Sequence, residues 1–165
     1  FADMVYEGRG RKPMAAYITG TGASAAYWIA AASPRISLAK TALMGSIGVV
    51  AGVSKQVQPD RDGHMMIEVV SSNAPKKRPD VTTDEGYAEI RTTLDSLESH
   101  FIADVARGRG VTKEKVLADF GQGGCFVGKE VVSAGMADAV ESFDQALARI
   151  GRVGKASRAR QAAGG

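Results

Sequence analysis

Short apolar segments alternate with amphipathic segments along most of the chain, and Gly or Pro residues separate them. Apolar runs at 14–19 and 35–39 predict buried strands. Apolar residues at helical spacing predict one long helix at 85–107, with Thr82 and Glu85 as its capping box. The pattern predicts strands at 14–19, 35–39, 45–50, 64–72, 125–127 and 137–140, and helices from Phe1, at 23–32, 85–107, after Thr112, and at 129–134 and 144–150.

Strands that alternate with helices predict an α/β fold with a mainly parallel sheet and flanking helices. The 165 residues are enough for one domain with its own core. The single cysteine, Cys125, excludes an internal disulfide, and no apolar run is long enough to span a membrane. We therefore look for function at the turns that follow strands.

The net charge of +3 arises at the end of the chain, where residues 151–165 contain four basic residues and no acidic one. The rest of the chain has 17 basic and 18 acidic residues and is therefore nearly neutral. This composition predicts a folded core at 1–150 and a basic, disordered tail at 151–165. Because no aromatic residues are interleaved with the tail charges, we expect no nucleic-acid partner.

The turn at 20–24 has two interpretations. Its Gly-x-Gly-x-x-Ala pattern fits a dinucleotide site, which needs an acidic residue about 20 positions later. That residue is missing, because the first acidic residue after the turn is Asp60. Lys40, at the end of the second predicted strand, would suit a dinucleotide with a phosphorylated ribose, and this interpretation is the weaker one. Alternatively, Ser24 is a nucleophile at a helix start, where the N–H of Ala25 points toward a developing oxyanion. The competing structural interpretation makes Ser24 only a helix cap.

A serine nucleophile needs a base, and neither His64 nor His100 has a catalytic motif around it. Lysine is the remaining candidate, since Ser/Lys pairs are a known variant of triad chemistry. Cys125 is predicted to be a small core residue, and Tyr27 and Trp28 to pack the helix. We see no Cys/His or carboxylate cluster with metal-ligand spacing, so no metal or cofactor is expected.

Two motifs together resemble a known family. Residues 22–32 and the run Gly-Ser-Ile-Gly-Val at 45–49 are similar to the signal peptide peptidase A (protease IV) family, which includes phage head-maturation proteases. Residues 128–140 resemble the closing helix and strand of the wider Clp protease and crotonase superfamily. The resemblance covers about 1–150 and implies a Clp protease/crotonase-like fold and a serine endopeptidase, with the phage branch favoured. Alternatives are a signal-peptide-degrading peptidase, a non-catalytic assembly protein and, least favoured, an acyl-CoA enzyme.

The resemblance implies specific roles. Ser24 matches the nucleophile, Ala25 an oxyanion donor, and Ser46 the serine that orients the catalytic lysine. Gly45, Ile47 and Gly48 match the substrate-binding strand. The lysine itself falls on Lys76 by ungapped alignment and on Lys77 if the loop is one residue longer. We rank Lys76 first and leave the choice open.

The resemblance also implies partners. Family members bind peptide substrates and complete their active sites at interfaces of homo-oligomers. A turn of the type Asp-Ser-Pro-Gly-Gly, which supplies a second oxyanion donor in the family, is missing here. We therefore expect a core incomplete at its N-terminus and impaired in catalysis. The expected location is cytoplasmic, or at a membrane if the native N-terminus carries an anchor.

Overall fold

The computed structural model describes residues 1–163, except the side chains at 155 and 157–163. The helices are α1 (Ala2–Glu7), α2 (Ala25–Ala31), α3 (Asp84–Arg109), α4 (Lys113–Asp119), α5 (Lys129–Ala134) and α6 (Phe143–Ala163). The strands are β1 (Ala16–Ile18), β2 (Thr21–Ala23), β3 (Ile36–Leu38), β4 (Leu43–Gly45), β5 (Cys125–Val127) and β6 (Ala139–Val140). The chain divides into two compact units. Unit 1 contains residues 1–48 and the chain from 99 onward, and unit 2 contains residues 49–98.

Unit 1 contains two small sheets. The first has the order β1-β3-β6 with parallel pairs throughout, and in the second β2 pairs parallel with β4 while β5 joins antiparallel. The predicted α/β class with mainly parallel pairing is confirmed. The sequence pattern missed β2, because Gly22 and Ala23 carry no strand signal of their own and are held in the strand by pairing with β4.

Helix α2 packs into the core of unit 1. Tyr27 is fully buried, and its hydroxyl donates a hydrogen bond to the carbonyl of Met136 at 3.1 Å. Trp28 stacks on Phe101 with 4.4 Å between ring centroids, and its indole N–H donates to Asp104 at 2.9 Å. The predicted packing role of Tyr27 and Trp28 is confirmed. These contacts fix both faces of the helix that begins directly after Ser24.

The C-terminal end of α2 is held by Arg9. Its guanidinium donates to the carbonyls of Ala32 at 2.7 Å and of Ser33 and Gly108 at 2.8 Å. A cation at this position satisfies carbonyls that the helix leaves without partners. A Cβ on Gly108 would lie 2.2 Å from the carbonyl oxygen of Ala31, so this approach of α3 to α2 requires glycine.

Several predicted boundaries are wrong. The strand predicted at 45–50 lies at 43–45, because Gly45 and Ser46 adopt positive φ angles that end it. Residues 64–72 form no strand. Thr83, and not Thr82, caps α3, since its hydroxyl accepts the N–H of Gly86 at 3.1 Å.

The last helix is longer than predicted. Residues 151–163, expected in a disordered tail, continue α6 to Ala163, while 164–165 lie outside the described residues. Ala, Arg, Lys and Gln dominate this stretch and are good helix formers. Among residues 1–163, none of the helices combines the length and apolar character that a bilayer span requires.

Unit 2 consists of the chain from 49 to 83 and the first part of α3. Its polar centre is Asp80, whose carboxylate accepts hydrogen bonds from Lys55 at 2.5 Å and from the N–H and hydroxyl of Thr82. The bond from Lys55, followed by those from Thr82, holds the pKa of Asp80 well below its usual range. Asp80 takes the hydrogen bonds of Thr82, which explains why Thr82 does not form the predicted capping box.

Glu141 closes a polar cluster in unit 1. Its carboxylate accepts hydrogen bonds from Arg149 at 2.7 Å and from the hydroxyl of Ser37 at 2.5 Å, and its side chain is only 7% exposed. The bond from Arg149, followed by that from Ser37, holds the pKa of Glu141 below its ordinary value. The ionised carboxylate is therefore more stable in the folded chain than in the unfolded one.

This arrangement predicts acid sensitivity. Because the folded pKa lies below the unfolded one, Glu141 contributes stability above the unfolded value of about 4.3, and the contribution is lost as pH falls through the folded value. We expect Glu141→Gln to lower the free energy of unfolding by about 1–3 kcal/mol at about pH 7, and to flatten its decline in acid. Urea unfolding at several pH values measures both effects. Glu85→Gln, at an exposed position, is the control and should keep the native dependence of the free energy of unfolding on pH. The assignment would be contradicted if Glu141→Gln kept that native dependence too.

Candidate active site

Ser24 occupies a strained turn between β2 and α2. Its φ is 54° and its ψ is −128°, a combination that residues other than glycine rarely adopt. Such strain costs about 1–3 kcal/mol and is concentrated at functional sites. A serine on a sharp strand-to-helix turn presents its hydroxyl outward, as nucleophilic serines of hydrolases do. Ser24 is exposed, in agreement with that geometry.

The hydroxyl of Ser24 does not cap α2. Ser24 is at the N-cap position, yet its side chain makes no capping hydrogen bond. Its main chain is fully engaged, because the N–H donates to Gly45 at 2.9 Å and the carbonyl accepts from Trp28 at 3.0 Å. Ser24 is therefore the N-cap residue by position but not by side-chain hydrogen bonding, and its role as nucleophile stays a prediction. Ala25 begins α2 and is exposed, so its N–H is among those without a partner inside the helix.

Ser46 lies beside Ser24. Ala23 and Gly45 are the last paired residues of β2 and β4, and each serine comes one position later. Neighbouring strands are about 4.8 Å apart, so the two serines lie next to each other at the carboxyl ends of these parallel strands. Ser46 also has a positive φ of 55°, and its N–H donates to the carbonyl of Gly124 at 2.8 Å. The structure brings these two predicted residues together.

The predicted substrate strand is shaped by glycine. A Cβ on Gly45, whose φ is 140°, would lie 2.3 Å from the carbonyl oxygen of Gly124. Gly48 has a φ of 155°, which also favours glycine. The side chain of Ile47 is buried in the core at 6% exposure. A substrate would therefore meet the main chain of Ile47 and not its side chain.

Both candidate lysines lie in a 3₁₀ turn, Pro75–Lys77, of unit 2. The ammonium of Lys76 forms an ion pair with Glu89 at 2.9 Å, and its side chain is 76% exposed. Lys77 borders a cavity of about 510 Å³ in the same unit. The apolar residues around that cavity include Val53, Val70, Val81 and Ile90. The cavity is also lined by Glu68 and Asp80, which pair with Arg78 and Lys55. The two lysines therefore differ: the first pairs with Glu89, and the second borders a cavity whose carboxylates pair with other cations.

The other titratable candidates are exposed. His64 follows the turn at 61–62 and lies in no strand, with 81% of its side chain exposed, and His100 is exposed on α3. Cys125 is also exposed, so its predicted core role is wrong. It lies on β5, opposite Gly45 at the edge of the sheet, which explains why its neighbours do not cover it.

One carboxylate cluster was missed by the sequence analysis. Ligand atoms of Asp60, Asp62 and His64 lie within 4.8 Å of one another, and all three residues are exposed. Their spacing, with acidic or histidine residues at alternate positions, was the available signal. One carboxylate oxygen of Asp60 already accepts the N–H groups of Asp62 at 3.0 Å and His64 at 2.8 Å. This arrangement is that of an Asx turn, which explains the cluster without an ion.

A sequence profile of peptidase family S49 matches residues 7–156. The chain belongs to peptidase family S49. Among solved structures, this S49 chain is similar to two variants of the 1510-N membrane-bound stomatin-specific protease. The serine-to-alanine variant is 12% identical, with a TM-score of 0.49, and the match covers 88% of this chain and 60% of the chain of that protease. The lysine-to-alanine variant, in complex with a substrate peptide, is 15% identical at a TM-score of 0.46, covering 89% and 58%. The S49 chain thus spans about 60% of the length of these structures.

Proposed function

We propose that this S49 chain is a serine endopeptidase with Ser24 as nucleophile and a lysine of the turn Pro75–Lys77 as general base. The observation that carries the proposal is the hydroxyl of Ser24, which is exposed on a strained strand-to-helix turn and is not used as a helix cap. Family membership supplies the reaction class.

The reaction would proceed through an acyl-enzyme. A neutral lysine amine takes the proton of the Ser24 hydroxyl, and the oxygen attacks the peptide carbonyl. The N–H of Ala25 stabilises the resulting oxyanion. The lysine then returns the proton to the leaving amine, and water releases the acyl group by the same two steps. Ser46 orients the lysine through its hydroxyl.

A free lysine titrates at about 10.4. To be neutral near pH 7, its ammonium form must be destabilised relative to the neutral amine by about 4 kcal/mol. Apolar surroundings supply that environment, whereas a carboxylate partner opposes it. Lys77 borders a cavity lined in part by Val53, Val70 and Ile90, while Lys76 pairs with Glu89. The two carboxylates of that cavity, Glu68 and Asp80, pair with Arg78 and Lys55. The sequence ranked Lys76 first; these contacts favour Lys77 as the base and give Lys76 a structural role.

Both lysines are exposed in the single chain. We therefore propose that self-association covers this loop and completes the active site. For substrates, the loop at 73–80 resembles that of phage-type members of the family, which supports proteins of the phage capsid or scaffold as the peptides cleaved.

A fluorophosphonate probe tests the proposed chemistry, because it reacts with activated serine hydroxyls. We expect labelling at Ser24, located by peptide mass spectrometry, and none at the exposed Ser133 of α5. Ser24→Ala should remove the label, and Ser133→Ala should leave it unchanged. An unlabelled Ser24 under conditions that label a reference serine peptidase would favour a non-catalytic assembly protein.

A further inference from the structure

An apolar segment of unit 2, residues 64–70, is open to solvent. Met66, Ile67 and Val69 are 73%, 81% and 92% exposed. Soluble monomers rarely leave neighbouring large apolar side chains uncovered, and such patches mark contact surfaces. The same residue types predict a strand, yet no strand of the described residues pairs with this segment. The segment therefore has the composition of a buried strand without its partner.

One edge of the segment is occupied by a side chain. The amide of Gln56 donates to the carbonyl of His64 at 3.1 Å and accepts from the N–H of Met66 at 3.0 Å. In a strand, the carbonyl of one residue and the N–H two positions later face the same edge, where they bind one residue of a neighbouring strand. Gln56 thus takes the place of such a residue and covers the edge formed by the even-numbered positions.

The opposite edge is formed by Met65, Ile67 and Val69. Among the described residues, no group donates to or accepts from the main chain of these three. Met66 and Ile67 are consecutive, so their side chains point to opposite faces of a strand. Both are exposed, so a strand here would be apolar on the face of Met65, Ile67 and Val69, and would carry Met66 beside Glu68 on the other face. Apolar side chains on both faces are typical of a strand inside a sheet. A partner must supply hydrogen bonds along one edge and apolar cover on both faces.

We propose that this edge pairs with the same segment of a second copy of the chain, antiparallel and about a twofold axis at Ile67. The inference rests on the proposed self-association and assigns its surface. Ile67 then faces Ile67 of the other copy, and Met65 faces Val69. These residues belong to the open edge, so the pairing forms about six main-chain hydrogen bonds.

Self-pairing suits this sequence for two further reasons. In the twofold register, Glu68 faces Met66 of the other copy, so like charges are not opposed. Each copy also brings identical apolar residues to both faces, as a closed twofold interface requires. A substrate peptide of variable sequence would fill the edge but would not supply matched apolar cover.

Two proline variants of the full chain separate the two edges. Val69→Pro removes an N–H from the open edge, whereas Val70→Pro removes one from the edge that Gln56 covers. By sedimentation velocity, we expect the unmodified chain to self-associate, Val69→Pro to raise the Kd at least about 10-fold, and Val70→Pro to change it less than about 3-fold. Circular dichroism should show both variants folded, since neither position lies in a helix or strand of the chain.

A disulfide test locates the axis. In a Cys125→Ser background, Ile67→Cys should give an intermolecular disulfide, because Cα atoms of a hydrogen-bonded antiparallel pair lie about 5.5 Å apart, within disulfide range. Val57 is 69% exposed, and Val57→Cys is the matched control, which should remain a thiol.

The assigned surface alone would be overturned if the chain associates and Val69→Pro does not weaken that association, or if it associates and Ile67→Cys forms no disulfide. A monomeric unmodified chain would overturn self-association as well. Fluorophosphonate labelling of Ser24 in that monomer would show that the peptidase chemistry does not need a second copy.

Discussion

Replacing Ser24 by alanine is expected to reduce peptide cleavage by at least about 10⁴-fold, the scale seen when a serine peptidase loses its nucleophile. The variant should unfold at nearly the native temperature, because alanine inherits the same strained φ of 54°. Cleavage of a fluorogenic peptide and differential scanning calorimetry measure the two effects. Ser133→Ala, at an exposed position of α5, is the control and should retain full activity.

Ser24→Gly distinguishes a strained catalytic turn from a merely unstable variant. Glycine adopts positive φ without the penalty of a Cβ, so this variant should be equally inactive but more stable by about 1 kcal/mol. For a chain of this size, that gain corresponds to about 2–4 °C in Tm. Cleavage within about 10-fold of the native rate in either variant would refute the nucleophile. A lowered Tm for Ser24→Gly would refute the strained turn.

Lys77→Ala is expected to reduce turnover by about 10³-fold or more, because general-base catalysis is lost together with activation of the nucleophile. Lys76→Ala should cost less than about 10-fold, since it removes a surface ion pair with Glu89. Arginine substitutions sharpen the contrast. Lys77→Arg should remain inactive because a guanidinium stays protonated, whereas Lys76→Arg should keep the ion pair and the activity.

Steady-state kinetics of the four lysine variants, with Lys113→Ala at an exposed position of α4 as control, measure these effects. A large loss in Lys76→Ala with an active Lys77→Ala would exchange the two roles. Activity in both alanine variants would mean that the base is not a lysine of this turn. Loss of activity with His64→Ala would point to histidine chemistry instead.

Local sequence signals predicted the elements whose stability is local. Thr112 caps α4 as predicted, by accepting the N–H of Lys115 at 3.2 Å. Gly135 ends α5 with a φ of 89°, as the sequence pattern indicated. The turn at Ser24 and the helix after it were also predicted, because small residues, a helical run and Pro34 follow one another within a short stretch; the strand β2 between them and the predicted strand was not. Each of these features depends on neighbours only a few positions away.

Other features depend on partners that are distant in the chain, and the sequence did not predict them. β2 exists because β4 pairs with it, and Cys125 is exposed because β5 lies at a sheet edge. The predicted strand at 64–72 failed for the converse reason. Its apolar pattern is that of a strand, but the single chain supplies the amide of Gln56 in place of a neighbouring strand.

The sequence by itself determined the α/β class, the position of Ser24 at a strand-to-helix turn and the pair of lysines available as base. Tertiary structure decided how those residues are presented. It placed Ser46 beside Ser24, left the Ser24 hydroxyl out of the helix cap, and paired Lys76 with Glu89 while Lys77 borders a cavity. The physical reason is that residue types and spacing specify short-range hydrogen bonding and amphipathic faces, whereas strand pairing and ion pairing depend on which distant segments meet.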